Sequence, residues 1–269
     1  MPCIVQAQGA KLEFPAPSPG CTLKQRVGLT DVEISYSRPS AKGRQIFGGL
    51  VPYGEVWRTG ANASTKISFS TAVKLCGNDI AAGKYALYTI PGEDEWTIII
   101  HKNLDASVFN YDKKDDLVRF KVESHKLAEH VETFTMEMPQ IRDDSAILCL
   151  VWENTLVPIN MELDLTSKLV PQIEAAMSEP GERKPYYQAA MFYYDHDLDL
   201  QKARKWLDAI PPDRETYYIL HLKAKVLAKS GDKQGAIAAA KRSSELAVKA
   251  EGPKSGYVKM NQDLVSSLQ

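Results

Sequence analysis

Val157-Pro158-Ile159-Asn160-Met161-Glu162-Leu163-Asp164-Leu165-Thr166-Ser167-Lys168-Leu169-Val170-Pro171-Gln172-Ile173 changes its hydrophobic period half-way along. Val157, Ile159, Met161 and Leu163 recur at every second residue around Asn160 and Glu162, the pattern of a strand with one buried face. After Asp164 the apolar residues are Leu169, Val170, Ile173 and Met177, which share one face of a helix, and Thr166 or Ser167 can cap it. The chain therefore reads as α+β in two segregated parts. The expected divisions are an extended lead over 1–19, a β domain over 20–165 and a helical domain over 166–269.

Upstream of the switch the period stays at two. Val32, Ile34 and Tyr36 alternate with Glu33 and Ser35, and Ile67, Phe69 and Val73 share one face of a second run. Tyr85 to Ile90 and Trp96 to His101 flank Pro91-Gly92 and read as a hairpin. Val118 to Val122 and Phe134 to Met138 alternate again, while Ile147 to Trp152 is apolar throughout and suits a strand buried on both faces. Eight or nine short strands with turn signals between them predict an antiparallel sandwich of jelly-roll type, since a single sheet would leave an apolar face uncovered.

Downstream, Pro180-Gly181 ends the first helix and Pro185 opens a second with Tyr186, Ala189, Ala190 and Tyr193. Further helices are expected over 200–210, 215–229 and 233–250. Asp199 with Ala203 overlays Asp232 with Ala236, and the second hairpin resembles a tetratricopeptide unit, whose period is about 34 residues. Two such units are too few to bury a core alone, which predicts support from the β domain or a second subunit; the alternative is a helical bundle without true repeat character.

Composition narrows the possible roles. The 33 basic and 34 acidic residues leave a net charge of −1, so no overall field draws the chain to nucleic acid. No apolar run is long enough for a membrane span. Cys3, Cys21, Cys76 and Cys149 form no C-x-x-C pair, leaving zinc and redox readings without support. Cys3 and Cys21 could pair if the protein is exported, and Cys149 reads as a small buried hydrophobe. Val5-Gln6-Ala7 has the small-x-Ala form of a signal-peptide end but lacks the basic start and apolar core. Met1 to Gln8 is thus either the stump of a truncated signal or a plain N-terminus. A periplasmic or secreted location is the expectation.

The densest segment is Tyr36-Ser37-Arg38-Pro39-Ser40-Ala41-Lys42-Gly43-Arg44-Gln45-Ile46-Phe47-Gly48-Gly49-Leu50-Val51-Pro52-Tyr53-Gly54-Glu55-Val56-Trp57-Arg58-Thr59-Gly60-Ala61-Asn62. It is far longer than an ordinary β connection, and loops of that length are functional or disordered. Its apolar anchors Ile46, Phe47, Leu50, Val51, Val56 and Trp57 argue for order. Arg38, Lys42, Arg44 and Arg58 face only Glu55; guanidinium forks suit carboxylate or phosphate, Tyr53 or Trp57 can stack on a ring, and Asn62 both donates and accepts. These seven residues are the candidate ligand-binding set for a small anionic or polyhydroxylated molecule. The alternative is that the arginines tie the loop down.

The string Y-S-R-P-x-x-K-G-R-x-I-F-G-x-L-V-P-Y-G-x-V-W-R-T-G-A-N, continued by Ala82-Gly83-Lys84-Tyr85 and by Ile90-Pro91-Gly92 with Trp96, resembles the bacterial family called domain of unknown function 2911. The likeness covers about Ser18 to Leu165. It implies export and, as in some members, a helical C-terminal extension, and it leaves the chemistry open.

Other motifs are weaker. Asp195-His196-Asp197-Leu198-Asp199 imitates a calcium loop but has Leu200 and Trp206 where glycine and glutamate are needed, so it reads as a helix-capping turn. The histidines His101, His125, His130, His196 and His221 lack ligand spacing; His101, ending a strand, could reach a domain rim. Asp105, Asp112, Asp115 and Asp116 offer carboxylates without selecting a catalytic pair. No catalytic, metal or cofactor motif is present. The leading expectation is a non-catalytic binding protein of the cell envelope. The alternatives are a hydrolase acting on an envelope or carbohydrate substrate, and an interaction protein that uses the helical tail as a partner or dimer surface.

Overall fold

The computed structural model describes residues 14–181 and 184–269. The chain separates into two compact units between Leu165 and Thr166. The first carries β1 (Gly20–Val27), β2 (Thr30–Ser37), β3 (Thr65–Phe69), β4 (Val73–Leu75), β5 (Asn78–Ile80), β6 (Gly83–Ile90), β7 (Glu95–His101), β8 (Asp116–Glu123), β9 (His125–Ile141) and β10 (Ser145–Glu162). They form two antiparallel sheets, ordered β1-β2-β3-β6-β7-β8 and β5-β4-β10-β9.

Alternation decides which residues face inward. Val32, Ile34 and Tyr36 of β2 and Ile67 and Phe69 of β3 are buried, while the residues between them are not. The two sheets touch through Tyr36, whose ring meets Phe134 of β9 edge-on at 5.7 Å and whose hydroxyl accepts from the Met136 backbone N–H. Ala146, Leu148, Cys149, Leu150, Val151 and Trp152 of β10 are all buried. Burial pushes the Cys149 thiol up to about 11.

The expected hairpin at Pro91-Gly92 is β6 with β7, in register from Ala86 opposite His101 to Ile90 opposite Thr97. The run from Ile67 to Val73 is not one strand. It breaks at Ser70–Ala72, where the chain leaves the first sheet for the second, and hydroxyl groups satisfy the turn: Ser70 Oγ accepts from Asp31 N at 2.8 Å and Thr71 bonds Thr30 at 2.6 Å. The β1–β2 turn uses Gly28 at φ +51°, where an added Cβ would lie 2.1 Å from the Asp143 carbonyl oxygen.

Among its described residues the second unit has six α-helices: α1 (Thr166–Ser178), α2 (Tyr186–Asp195), α3 (Leu200–Asp208), α4 (Tyr217–Lys229), α5 (Lys233–Glu251) and α6 (Gly256–Leu268). Val170, Ile173 and Met177 pack on a cluster of Ala189, Ala190, Tyr193, Ala203, Trp206 and Leu207. Asp199 caps α3 by accepting from Gln201 N and Lys202 N, so the calcium-like string is a capping turn. Asp232 does the same for α5, and Ala203 and Ala236, at equal distances from the two caps, are both fully buried. Helix α6 was absent from the sequence expectation. Its cap is Ser255, and buried Asn261 ties it inward by donating to Ser243 Oγ at 2.8 Å and accepting from His221 Nδ1 at 2.7 Å.

Candidate functional site

After β2 the chain leaves the first sheet, runs along β9 and returns to β6. Phe134 N donates to the Pro39 carbonyl at 2.9 Å, Ala41 N to the Glu132 carbonyl at 2.7 Å, and Lys42 N to the Glu132 carboxylate at 2.8 Å. That backbone N–H holds the Glu132 carboxyl below the usual carboxylate range, with His130 and Arg44 adding to the effect. Ile46 N donates to Glu153 Oε1 at 3.1 Å. A tight turn follows, Gly48 N to Val51 O and Val51 N to Ile46 O. Gly48, at φ +78°, lies under the Tyr53 ring, where a Cβ would be 2.7 Å from Cε2. Trp57 and Thr89 then exchange both backbone hydrogen bonds, at 2.7 and 2.9 Å.

This path drives most of the loop's apolar residues into the core, although Leu50 stays exposed and Val56 packs instead against the Ala86, Tyr88 and Ile99 cluster. Ala41, Ile46, Phe47, Val51 and Trp57 are buried. Phe47 lies 4.8 Å from Trp96 and 6.1 Å from both Trp57 and Trp152, while Trp57 stacks on Trp152 at 6.0 Å. Such aromatic packing is a large apolar contribution with defined geometry. The loop is therefore an integral part of the domain core.

The seven candidate residues divide into two groups. Four end on partners inside the protein. Arg38 donates from Nε to the Phe134 carbonyl at 3.0 Å and from Nη2 to Thr135 Oγ1 at 2.6 Å. Arg44 binds back onto its own loop, at the carbonyls of Ala41 (2.9 Å) and Ser40 (2.7 Å). Trp57 Nε1 donates to the Gly60 carbonyl at 3.0 Å, and Asn62 Nδ2 reaches Ser37 Oγ at 3.2 Å and the Ser18 carbonyl at 3.4 Å. The other three, Lys42, Tyr53 and Arg58, make no side-chain hydrogen bond or ion pair among the described residues. Lys42 and Tyr53 are exposed. Partial burial, then Glu93 and Glu153, raise the Tyr53 hydroxyl pKa. Arg58 is half-buried, and its Nε is buried with no hydrogen-bond partner. Glu132 and Glu153, which anchor the loop, escaped the sequence reading. They lie 90 and 107 residues from the backbone groups they bind, and no local pattern marks them.

A second long connection, 102–115, lies across the outer face of β6 and β7. Ala106, Val108 and Tyr111 cover Ala86, Tyr88 and Ile99 there. His101 does not reach a rim; it is fully buried, with Nδ1 3.1 Å from the Asn103 carbonyl and Nε2 3.2 Å from that of Asp112. Tyr88 OH donates to the Ala106 carbonyl, and Lys66 Nζ to that of Leu104. Asp116 accepts from Tyr111 and Arg119, and Asp112 caps a short 3-10 turn at Lys113–Asp115. Burial, then Asp116, push the Tyr111 hydroxyl up to about 12.

Fold and site together define a two-sheet β domain, its core closed by an inserted glycine-rich loop, followed by a helical region. The family model described as "Protein of unknown function (DUF2911)" matches residues 18–161, more than half of the chain and all of the loop. The chain belongs to that family. No curated protein and no solved structure matches it.

Proposed function

We propose that this protein is a non-catalytic binding protein of the cell envelope whose 36–62 loop takes a small anionic or polyhydroxylated ligand. The observation that carries the reading is Arg58: a half-buried guanidinium with a buried Nε and no partner among the described residues. The other guanidinium nitrogens of Arg58 also make no hydrogen bond or ion pair among the described residues, and an external carboxylate or phosphate would pair with them in charge-assisted contacts. Arg38, Arg44, Trp57 and Asn62 then serve as the scaffold that holds the loop in shape, while Lys42 and Tyr53 stay available at its surface. The internal commitments of His101 and Asp116 favour binding over the hydrolase alternative, because a general acid or base needs access to substrate.

Thermal-shift titration of the full chain with glucose 6-phosphate and galacturonate tests this. A ligand that stabilises the wild type should bind Arg58→Gln about tenfold more weakly, the worth of a charge-assisted hydrogen bond. Arg38→Gln should lower the melting temperature and leave affinity intact. Equal affinity in the wild type and Arg58→Gln would remove the site.

The same proposal reads the paired sheets as a jelly-roll-like sandwich, supported by the Tyr36–Phe134 and Tyr36–Met136 contacts. It reads the tail as tetratricopeptide-like hairpins, supported by the matching Asp199 and Asp232 caps. A tail that docks a protein partner or a second copy is favoured by its exposed Met191, Tyr218, Val248 and Met260. Light scattering checks the dimer, which a monomeric mass of the wild type would exclude, and Met260→Glu should halve a dimeric mass if Met260 lies in the interface. Export is carried by the family resemblance and by Val5-Gln6-Ala7, which, like Cys3 and its pairing with Cys21, lies outside the described residues.

A further inference from the structure

On the outer face of the first sheet, where β1, β2 and β3 lie side by side, there is a cavity of about 340 Å³. Its lining follows from the register. Gly20 pairs with Ser37, Thr22 with Ser35, and Ser35 with Lys66, so these residues share one face, with Ser64 two residues before Lys66 on the same side. Gly20 makes the space: a Cβ there would meet nothing within 4 Å.

The lining is rich in donors and has no carboxylate. Lys66 Nζ donates to Ser64 Oγ at 2.6 Å and to the Leu104 carbonyl, which leaves its third N–H free. Ser37 Oγ accepts from Asn62 and keeps its own hydrogen for another acceptor. Thr22 and Ser35 bond each other at 3.3 Å, and one of those two hydroxyl hydrogens remains. Among the described residues no carboxylate forms an ion pair with Lys66. Burial and the charge of Lys84 hold its ammonium below the ordinary lysine range, and Asp105 offsets this only in part. A negative group in the cavity would raise the Lys66 pKa again.

We infer that this cavity is a binding site for a small oxyanion, a carboxylate or phosphate group, held by the Lys66 ammonium and the Ser37 and Ser35–Thr22 hydroxyls. It is separate from the Arg58 reading: no basic residue of the 36–62 loop lines it.

The test is an NMR titration of the full chain with inorganic phosphate and with acetate, following the backbone amides of Ser37, Ala63 and Ser64. Saturable shifts with at least one anion are expected. Lys66→Met should weaken binding on the order of tenfold, the loss of one charge-assisted hydrogen bond. Because Lys66 also holds the Leu104 carbonyl, Gly20→Leu is the second variant; it fills the cavity without touching Lys66 and should abolish the shifts at an unchanged melting temperature. Arg58→Gln should bind as the wild type does. The site is overturned if neither anion gives saturable shifts, if Gly20→Leu still binds, or if Arg58→Gln abolishes binding; the last outcome would place the anion at the loop.

Discussion

The connection from Arg38 to Ser64 sends its apolar side chains inward, whereas the connection from Lys102 to Asp115 lies on the sheet and is held from beneath. In the first, Ile46, Phe47, Val51 and Trp57 are buried among Trp96, Phe134 and Trp152. In the second, Phe109 is 95% exposed, and the clips are hydrogen bonds from His101, Tyr88 and Lys66 to loop carbonyls. Irregular backbone can thus be ordered by apolar burial or by satisfying its polar groups from a rigid sheet. The first route gives far more stability, because aromatic burial exceeds the net gain from a hydrogen bond.

The sharpest way to break this contrast is Trp57→Ala, which empties the centre of the aromatic cluster and frees the Gly60 carbonyl. It should cost about 3–5 kcal/mol in urea unfolding followed by circular dichroism. A loss below about 1 kcal/mol would mean that the loop is not part of the core. Arg38→Ala removes two donors that join the loop to β9 and should cost about 2 kcal/mol in the same assay. His101→Phe removes the ring that faces the Asn103 and Asp112 carbonyls and donates to one of them. With one N–H on the neutral ring, only one of the two carbonyls loses a donor, so the change should cost about 1 kcal/mol and speed chymotrypsin cleavage after Phe109, whereas Trp57→Ala should do so only through global unfolding.

Alkaline pH separates the two loops further. The folded state holds the neutral Tyr111 phenol, with its pKa raised from 10 to about 12, so it binds more protons than the unfolded chain between those values. Stability from this group is complete below pH 10 and is lost as pH rises towards 12. Tyr111→Phe should flatten that part of the stability curve, and an unchanged slope would contradict the assignment. The smallest effect is expected from Phe109→Ser, within about 0.5 kcal/mol of the wild type, because its ring is in water.

Legibility in the sequence followed the range of the interaction. The hairpin around Pro91-Gly92 was readable because its strands are adjacent and their side chains alternate. The break at Ser70–Ala72 was not, since Ile67, Phe69 and Val73 keep the same parity on either side of a change of sheet. Helix α6 packs Leu264, Val265 and Leu268 on α4 and α5, but its one fully buried position is polar, Asn261 with Ser243 and His221, and that interrupts the hydrophobic period in the sequence. At the candidate site the excess of basic residues in 36–62 was visible. Their division into scaffold and available groups was not, because Arg38 and Ile46 find their partners 96 and 107 residues away.

The sequence by itself determined where the chain changes from strands to helices, because a period of two or of 3.6 is written in consecutive side chains. It also determined that the segment from Tyr36 to Asn62 is ordered, through its apolar anchors. Only the tertiary structure decided that this segment passes between two sheets, that Arg38 closes on the Phe134 carbonyl of β9, and that the Arg58 side chain has no hydrogen-bond partner among the described residues. Each of those outcomes depends on which distant backbone groups arrive beside the loop, and that is set by how the strands pair, not by the order of residues within it.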